Sequence, residues 1–293
     1  MNEFLQQLAG GLATGSVYAA LALALSVIYS GSGILNFAQG QFAVVSAFLA
    51  LTFVENGWSV WLALPVVVVL SALLGAAIER TLVRPVENAS VLARFTVTAA
   101  LLVGLNGVIS IVWDNDQHGF ATPFGAGVVN LGPVVLTAQQ IGSTAVVIVV
   151  MAAVAVFFGK TDLGLKMRAV SMNPASATLL GIHPGTMLAL GWALAAAVGA
   201  VAGVMAAPTL AVSTDMMNGP LLLALAALAL GGFGSRLGAL VGGLVIGVLD
   251  ALAARYVPGL GGDLSIVVPF VIIWVVLMVR PHGIFGTASA VRT

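Results

Sequence analysis

Cysteine is absent from this 293-residue chain, and charge is scarce: ten Lys or Arg, ten Asp or Glu, 7% in all. Without cysteine there is no disulfide, no thiolate metal site and no cysteine nucleophile. Three scattered histidines, His118, His183 and His282, share no spacing that would build a metal site. A formal net charge of zero argues against a nucleic-acid partner and against a general membrane-surface patch. What fills the chain instead is hydrocarbon, with 60% hydrophobic residues and a mean hydropathy of +1.14. A soluble domain carries about 25% charged residues, so the composition predicts an all-α polytopic integral membrane protein. The opening MNEFLQQLAGG has no basic n-region and no cleavage site, and reads as mature sequence entering the first span.

A membrane-crossing helix needs about 17–25 mostly apolar residues. Nine segments qualify in part or whole: Gln7–Tyr29, Ile34–Val54, Trp58–Leu82, Ala93–Trp113, Ile141–Phe158, Thr186–Pro208, Pro220–Gly234, Leu237–Tyr256 and Leu264–Val279. The second begins with polar Asn36, Gln39 and Gln41, and the seventh is short and ends in GGFGS. Eight or nine spans, some broken, form a single domain over residues 1–293. Orientation follows Lys and Arg near the span ends. With nine spans and the C-terminus inside, Arg80, Arg84, Arg94, Lys160, Lys166, Arg168, Arg236, Arg280 and Arg292 lie on the inner side, and only Arg255 outside. The N-terminus is then external unless the second segment fails to cross. The loop 114–140 falls outside; its Gly/Pro/Asn content predicts an irregular or partly re-entrant cover, with His118 a solvated loop residue.

Both lysines of the protein lie in the inner loop 159–185, GKTDLGLKMRAVSMNPASATLLGIHPG. Asp162 is expected to cap a first short helix. Asn173 and Pro174 read as N-cap and first residue of a second, closed by Gly181. A capped helix pair between two spans is more structure than a connector needs, and it predicts a docking surface. Gly159-Lys160-Thr161 resembles the end of a phosphate-binding loop, but Val154 stands where the first glycine belongs and no strand precedes it. GGFGSRLG lacks the βαβ context of a dinucleotide fingerprint, and no catalytic constellation is present, so no enzyme is expected.

Small residues recur at helix-contact spacing in Gly11/Gly15, Gly199/Gly203, Gly243/Gly247 and the run Gly234, Gly238, Gly242. With Gly232 beside it, that run marks packing or a hinge at a span boundary. Few polar groups enter the apolar phase: Asn36, Gln39, Gln41, Asn106 and Asp250. Such groups face a cavity or another helix. The Asn36–Gln41 cluster is the stronger pathway candidate; Asp250 is either a pathway group or a partner of Arg255, the pairing being preferred. Glu79, Glu87, Arg80 and Arg84 read as an interfacial ion cluster. Val83-Arg84-Pro85 and Val279-Arg280-Pro281 form a faint internal echo. Asn88-Ala89-Ser90 matches a glycosylation acceptor on the wrong side.

The runs GLATGSVYAALALALSVIYSGSGILNFAQGQF, ER-x3-RP (Glu79–Pro85), GLKMRAVSMNPASATLLGI, LGGFGSRLGALVGGLVIGVLDAL and RPHGIFG together resemble the permease subunits of branched-chain amino acid ABC importers, of the LivH type. The first and third are specific in combination. Gln41 departs from the family motif NFAxGE, which usually carries Glu there. The resemblance implies a multi-pass subunit of a bacterial inner membrane with a cytoplasmic C-terminus. It also implies a second homologous permease, two ATPase subunits that bind the ATP, and an external substrate-binding protein. No cofactor is held by this chain. Carried over, the coupling segment is Leu163–Gly181, with Gly164, Lys166, Arg168, Asn173, Pro174 and Gly181 at the ATPase contact. Asn36, Gln39, Gln41 and Asp250 are the expected path residues. The alternatives are a urea or short-amide permease of the same kind and an ion-coupled secondary transporter.

Overall fold

The computed structural model describes residues 2–87, 89–256, 267–280 and 283–286. Asn88, Pro281, His282 and Arg292, named above, lie outside the described residues, as do the first three positions of the last expected span. The described chain is a helical bundle: α1 (Asn2–Ser32), α2 (Gln39–Glu55), α3 (Val60–Ile78), α4 (Val91–Trp113), α5 (Ala138–Lys160), α6 (Asp162–Met172), α7 (Pro174–Leu179), α8 (Pro184–Leu210), α9 (Asn218–Gly231), α10 (Arg236–Tyr256) and α11 (Val267–Val279). One π turn and one 3-10 turn extend α3 to Val86. Among the described residues, six helices are long and apolar enough to cross a bilayer, whereas α2 and α9 are shorter apolar helices. At ~1.5 Å per residue, the 14 residues of α9 reach only about 21 Å.

Local chemistry sets the helix starts. Ser59 and Ser90 hydroxyls accept from Leu62 N and Ala93 N, and Thr137 with Gln140 forms a reciprocal capping box. Ser90 is thus a helix cap within the Asn-Ala-Ser triplet. The second expected span begins late: Gly33 turns with φ +67°, residues 34–38 are non-helical, and helix resumes at Gln39. From there α2 runs alongside α4 in the same direction. Thr98 Oγ1 donates to Leu35 O at one end (3.1 Å), and Trp113 Nε1 donates to Thr52 Oγ1 at the other (2.8 Å).

Layering follows burial. Helices α1, α2, α8 and α9 form the interior, with Leu21, Leu25, Phe42, Phe48, Trp192 and Leu228 almost wholly enclosed. Outer α3, α4 and α5 turn Leu73, Ile111 and Val149 outward. These helices are apolar on every side, as bilayer spans are. Small residues make the inner crossings possible. On α1 and α10, Gly11 and Gly15 meet Gly243, Leu244, Gly247 and Val248. A Cβ on Gly247 would strike the Gly15 backbone, and one on Gly243 would strike Ala19. Gly203 lies against Ala43 of α2, and Gly75 against the Trp192 backbone. The pairs read from spacing are therefore contact surfaces, Gly11/Gly15 with Gly243/Gly247.

The 114–140 loop departs from expectation. It contains an antiparallel hairpin, β1 (Val128–Leu131) and β2 (Val134–Thr137), turned at Gly132 with φ +66°. The sequence VVNL-GP-VVLT flanks a Gly-led two-residue turn with β-branched residues, which is a hairpin pattern. The Gln6 side chain pairs with its edge, donating to Val135 O and accepting from Val135 N, both at 2.7 Å. Arg255 pairs with Glu3 at 2.8 Å. The start of α1, the hairpin and the end of α10 thus share one end of the bundle, opposite α6 and α7. His118 is not simply solvated. It bridges backbone to Val212, meets Phe48 edge-on and contacts Asp114 Oδ1 at 3.1 Å. That contact and the Asp116 N–H hold the Asp114 carboxyl below the ordinary Asp value, the backbone donor first.

Candidate functional site

Two features stand apart from plain packing. The first lies where α2 breaks. Asn36 Oδ1 accepts from Ala38 N at 3.1 Å, folding residues 36–38 into the turn that launches α2, and Asn36 Nδ2 donates to Gln39 Oε1 at 3.4 Å. Gln39 Nε2 donates to Ala195 O of α8 at 2.9 Å. Space exists for that amide because Gly199, one helical turn on from Ala195, has no side chain; a Cβ there would sit 2.6 Å from Gln39 Nε2. Gln41 Nε2 donates to Thr214 O at 3.5 Å, and Asn106 Nδ2 of α4 donates to the same oxygen at 3.4 Å. Among the described residues, buried Gln41 Oε1 has no hydrogen-bond partner.

Asn36, Gln39 and Gln41 are thus all buried, and they converge with Asn106 and Thr214 on two irregular backbone stretches, 33–38 and 211–217. Non-helical backbone at membrane depth is tolerated only inside protein or along a water-filled cavity. Thr214 was missed in the sequence, because a threonine in VSTDMMN reads as an ordinary loop residue. Its carbonyl, not its side chain, is what the two amides seek.

Asp250 does not join this cluster. It accepts from Tyr18 OH of α1 at 3.4 Å. The expected pairing with Arg255 is replaced by Arg255–Glu3. Five residues apart is about 140° around a helix, so Asp250 and Arg255 point to different sides of α10. The ion cluster narrows similarly. Arg84 grips Glu79 with two hydrogen bonds (Nε to Oε1, 3.2 Å; Nη2 to Oε2, 2.7 Å) and donates to Gly185 O at 2.7 Å. It thereby ties the end of α3 to the start of α8.

The second feature is the helix pair α6–α7. Thr161, not Asp162, is the cap of α6: its Oγ1 accepts from Gly164 N at 3.0 Å. Asp162 is the first helical residue, where a carboxylate favours the positive helix start. The second helix forms as read. Asn173 Oδ1 accepts from Ser176 N at 3.0 Å and Pro174 is first. Gly181 has φ +75°, and Gly181 N and Ile182 N donate to Thr178 O and Ala177 O at 3.0 Å, which is a Schellman closure. Gly164 is buried against the Phe157–Phe158 backbone, leaving no room for a Cβ. Lys166, Asn173, Pro174 and Gly181 are exposed, with Met172, Leu179 and Leu180 at 86%, 89% and 78%. Arg168 is turned inward instead, its Nε buried.

The glycine run forms the α9–α10 corner. Gly232 closes α9 with φ +100°, Ser235 Oγ accepts from Gly238 N, and Gly231 touches Gly238 backbone to backbone. Gly242 lies on Ala227, while Gly234 faces open space. The closing motif joins the same corner: Ile284 N donates to Leu230 O (2.9 Å) and Phe285 N to Gly231 O (3.1 Å).

Comparison with known proteins places this geometry. Residues 7–277 match the family model described as "Branched-chain amino acid transport system / permease component". The high-affinity branched-chain amino acid transport system permease protein LivH of Escherichia coli (strain K12) is 30% identical over 300 residues, covering 97% of this chain and 96% of that one. BraD of Pseudomonas aeruginosa, named as a permease protein of the same kind of system, is 29% identical over 302 residues with the same coverage. The archaeal Methanocaldococcus jannaschii protein named as a probable LivH permease is 28% identical over 290 residues, covering 95% and 91%. With nearly the whole chain matched and six bilayer-length helices, this multi-pass membrane protein belongs to the permease family of branched-chain amino acid transport systems.

Proposed function

We propose that this chain is one membrane subunit of an ATP-driven importer, moving branched-chain amino acids inward together with a second similar permease. Two ATPase subunits drive the pair from the cytoplasm, an external binding protein delivers the substrate, and the C-terminus is cytoplasmic. The observation that carries this reading is the α6–α7 pair. It is short, capped at both starts, wedged against α5 through Gly164 and topped by exposed Met172, Leu179 and Leu180. An apolar knob beside Lys166 at the basic end of the bundle suits the groove of a soluble partner. ATP-driven closure of that partner biases the permease between two states because it binds them unequally. The broken start of α2, with Asn36, Gln39 and Gln41 against α8 and Thr214, is the part of the path that this conformation holds shut. Transporter sites are commonly built at such discontinuous helices.

The test is uptake of radiolabelled leucine into proteoliposomes holding the permease pair and its ATPases, with binding protein and ATP on their respective sides. Uptake is expected only with ATP, and Leu179→Asp with Leu180→Asp is expected to abolish both uptake and ATPase co-purification. Uptake driven by a proton or sodium gradient without ATPase subunits overturns the reading. Undiminished co-purification of the double variant overturns the docking role.

A further inference from the structure

Where α5 and α10 diverge, at the end of the bundle that carries α6, a cavity of about 260 Å³ opens between them. Leu23 of α1, Met151 and Val154 of α5, and Leu237 and Leu240 of α10 line it. Two arginines line it as well: Arg168 from α6, and Arg236, the first residue of α10. Arg236 lies 4.0 Å over the Phe158 ring. The buried Nε of each arginine has no acceptor among the described residues. Among the described residues, neither arginine joins an ion pair, and no carboxylate lines the cavity.

Two like charges drawn together at a low-dielectric boundary are unfavourable unless an anion lies between them. Paired arginine forks match a phosphate's oxygens. The apolar walls behind them decide which phosphate. A zwitterionic amino acid needs an acceptor for its ammonium, and the lining offers no carboxylate. A free phosphate gains nothing from five apolar side chains. A lipid uses both halves, with headgroup on the arginines and acyl chain between α5 and α10, and basic pockets between membrane helices on this side hold anionic headgroups. We propose that Arg168 and Arg236 form a binding site for one anionic phospholipid, whose phosphate links the α6–α7 pair to α10. This site is independent of the transported substrate.

Native mass spectrometry of the full-length permease, purified alone and with co-expressed partner subunits, reads the site. The protein is released from micelles holding equal phosphatidylglycerol and phosphatidylcholine. One phosphatidylglycerol is expected to be retained at least about tenfold over phosphatidylcholine, and Arg168→Gln with Arg236→Gln to bring the ratio to parity. Arg168→Lys with Arg236→Lys keeps the charge without the forks, so an intermediate ratio is expected and a fold-preserving comparison is secured. Equal retention of both lipids by the wild type overturns the proposal without recourse to any variant, as does an unchanged ratio in the glutamine pair. Displacement of the lipid by millimolar inorganic phosphate reassigns the site to free phosphate and overturns it too. So does loss of the preference when ATPase subunits are bound, which assigns the arginines to a protein contact.

Discussion

Adding a single methyl group at Gly247 tests how the bundle is held together. A Cβ there meets Gly15 Cα and Gly11 O on α1, which are backbone atoms that cannot rotate away. The helices must separate along the whole crossing that also contains Gly243 and Ala19. Bilayer tails are as apolar as the side chains displaced, so close packing, with the Tyr18–Asp250 and Glu3–Arg255 contacts further along, holds this crossing. Overpacking of this kind costs about 1–3 kcal/mol, which lowers the folded-to-unfolded ratio roughly 5- to 150-fold. Alanine also favours helix over glycine by about 1 kcal/mol, which masks part of the loss. Gly10→Ala supplies the correction, since Gly10 is a helical glycine of α1, the other helix of this crossing, and a Cβ there meets nothing within 4 Å. Unfolding both variants in a denaturing-detergent titration followed by circular dichroism gives the contact as their difference. Gly247→Ala is expected to unfold at lower detergent fraction than wild type, and Gly10→Ala at equal or higher. If the two variants unfold together, the close-packing account of α1 and α10 is wrong.

Arg84→Ala leaves the buried Glu79 carboxylate without its cation; removing one partner of a buried pair costs about 3–5 kcal/mol, and the upper part is not expected because Arg84 is 34% exposed. Glu79→Gln added to it should restore yield of monodisperse protein, and a double-mutant cycle with no coupling refutes the pairing. Gln39→Leu removes the bond to Ala195 O and is expected to lower uptake while the permease still assembles with its ATPases; uptake equal to wild type per assembled complex would make Gln39 a packing residue only.

Hydropathy made the long helices legible, because a bilayer permits little besides helix. The Asn173-Pro174 and Gly181 signals were legible for the same kind of reason: each satisfies a backbone group within its own few residues. What escaped were choices between neighbours. Thr161 and Asp162 both suit a helix cap, and only the extended backbone at Thr161, which sets its hydroxyl under Gly164 N, selects the threonine. The hairpin at 128–137 was hidden by reading its glycine and proline as irregularity and not as a turn between two runs of valine. Asp250 and Arg255 looked like partners in sequence, but helical rotation sends Arg255 to Glu3, a residue at the far end of the chain. The Thr214 carbonyl carries no sequence signal, since every residue has one. Spacing identified the glycines of α1 and α10 separately; that they pack on each other is a property of the bundle.

The contact of Ile284 and Phe285 with the end of α9 has a consequence for how the protein is made. Carbonyls 230 and 231 end α9, and their partners are encoded more than fifty residues later. At about 5–20 residues per second, several seconds of translation separate the two halves of this junction. During that interval the corner between α9 and α10 exists without its closing strap, so the last two carbonyls of α9 gain these partners only once residues 284 and 285 have been made.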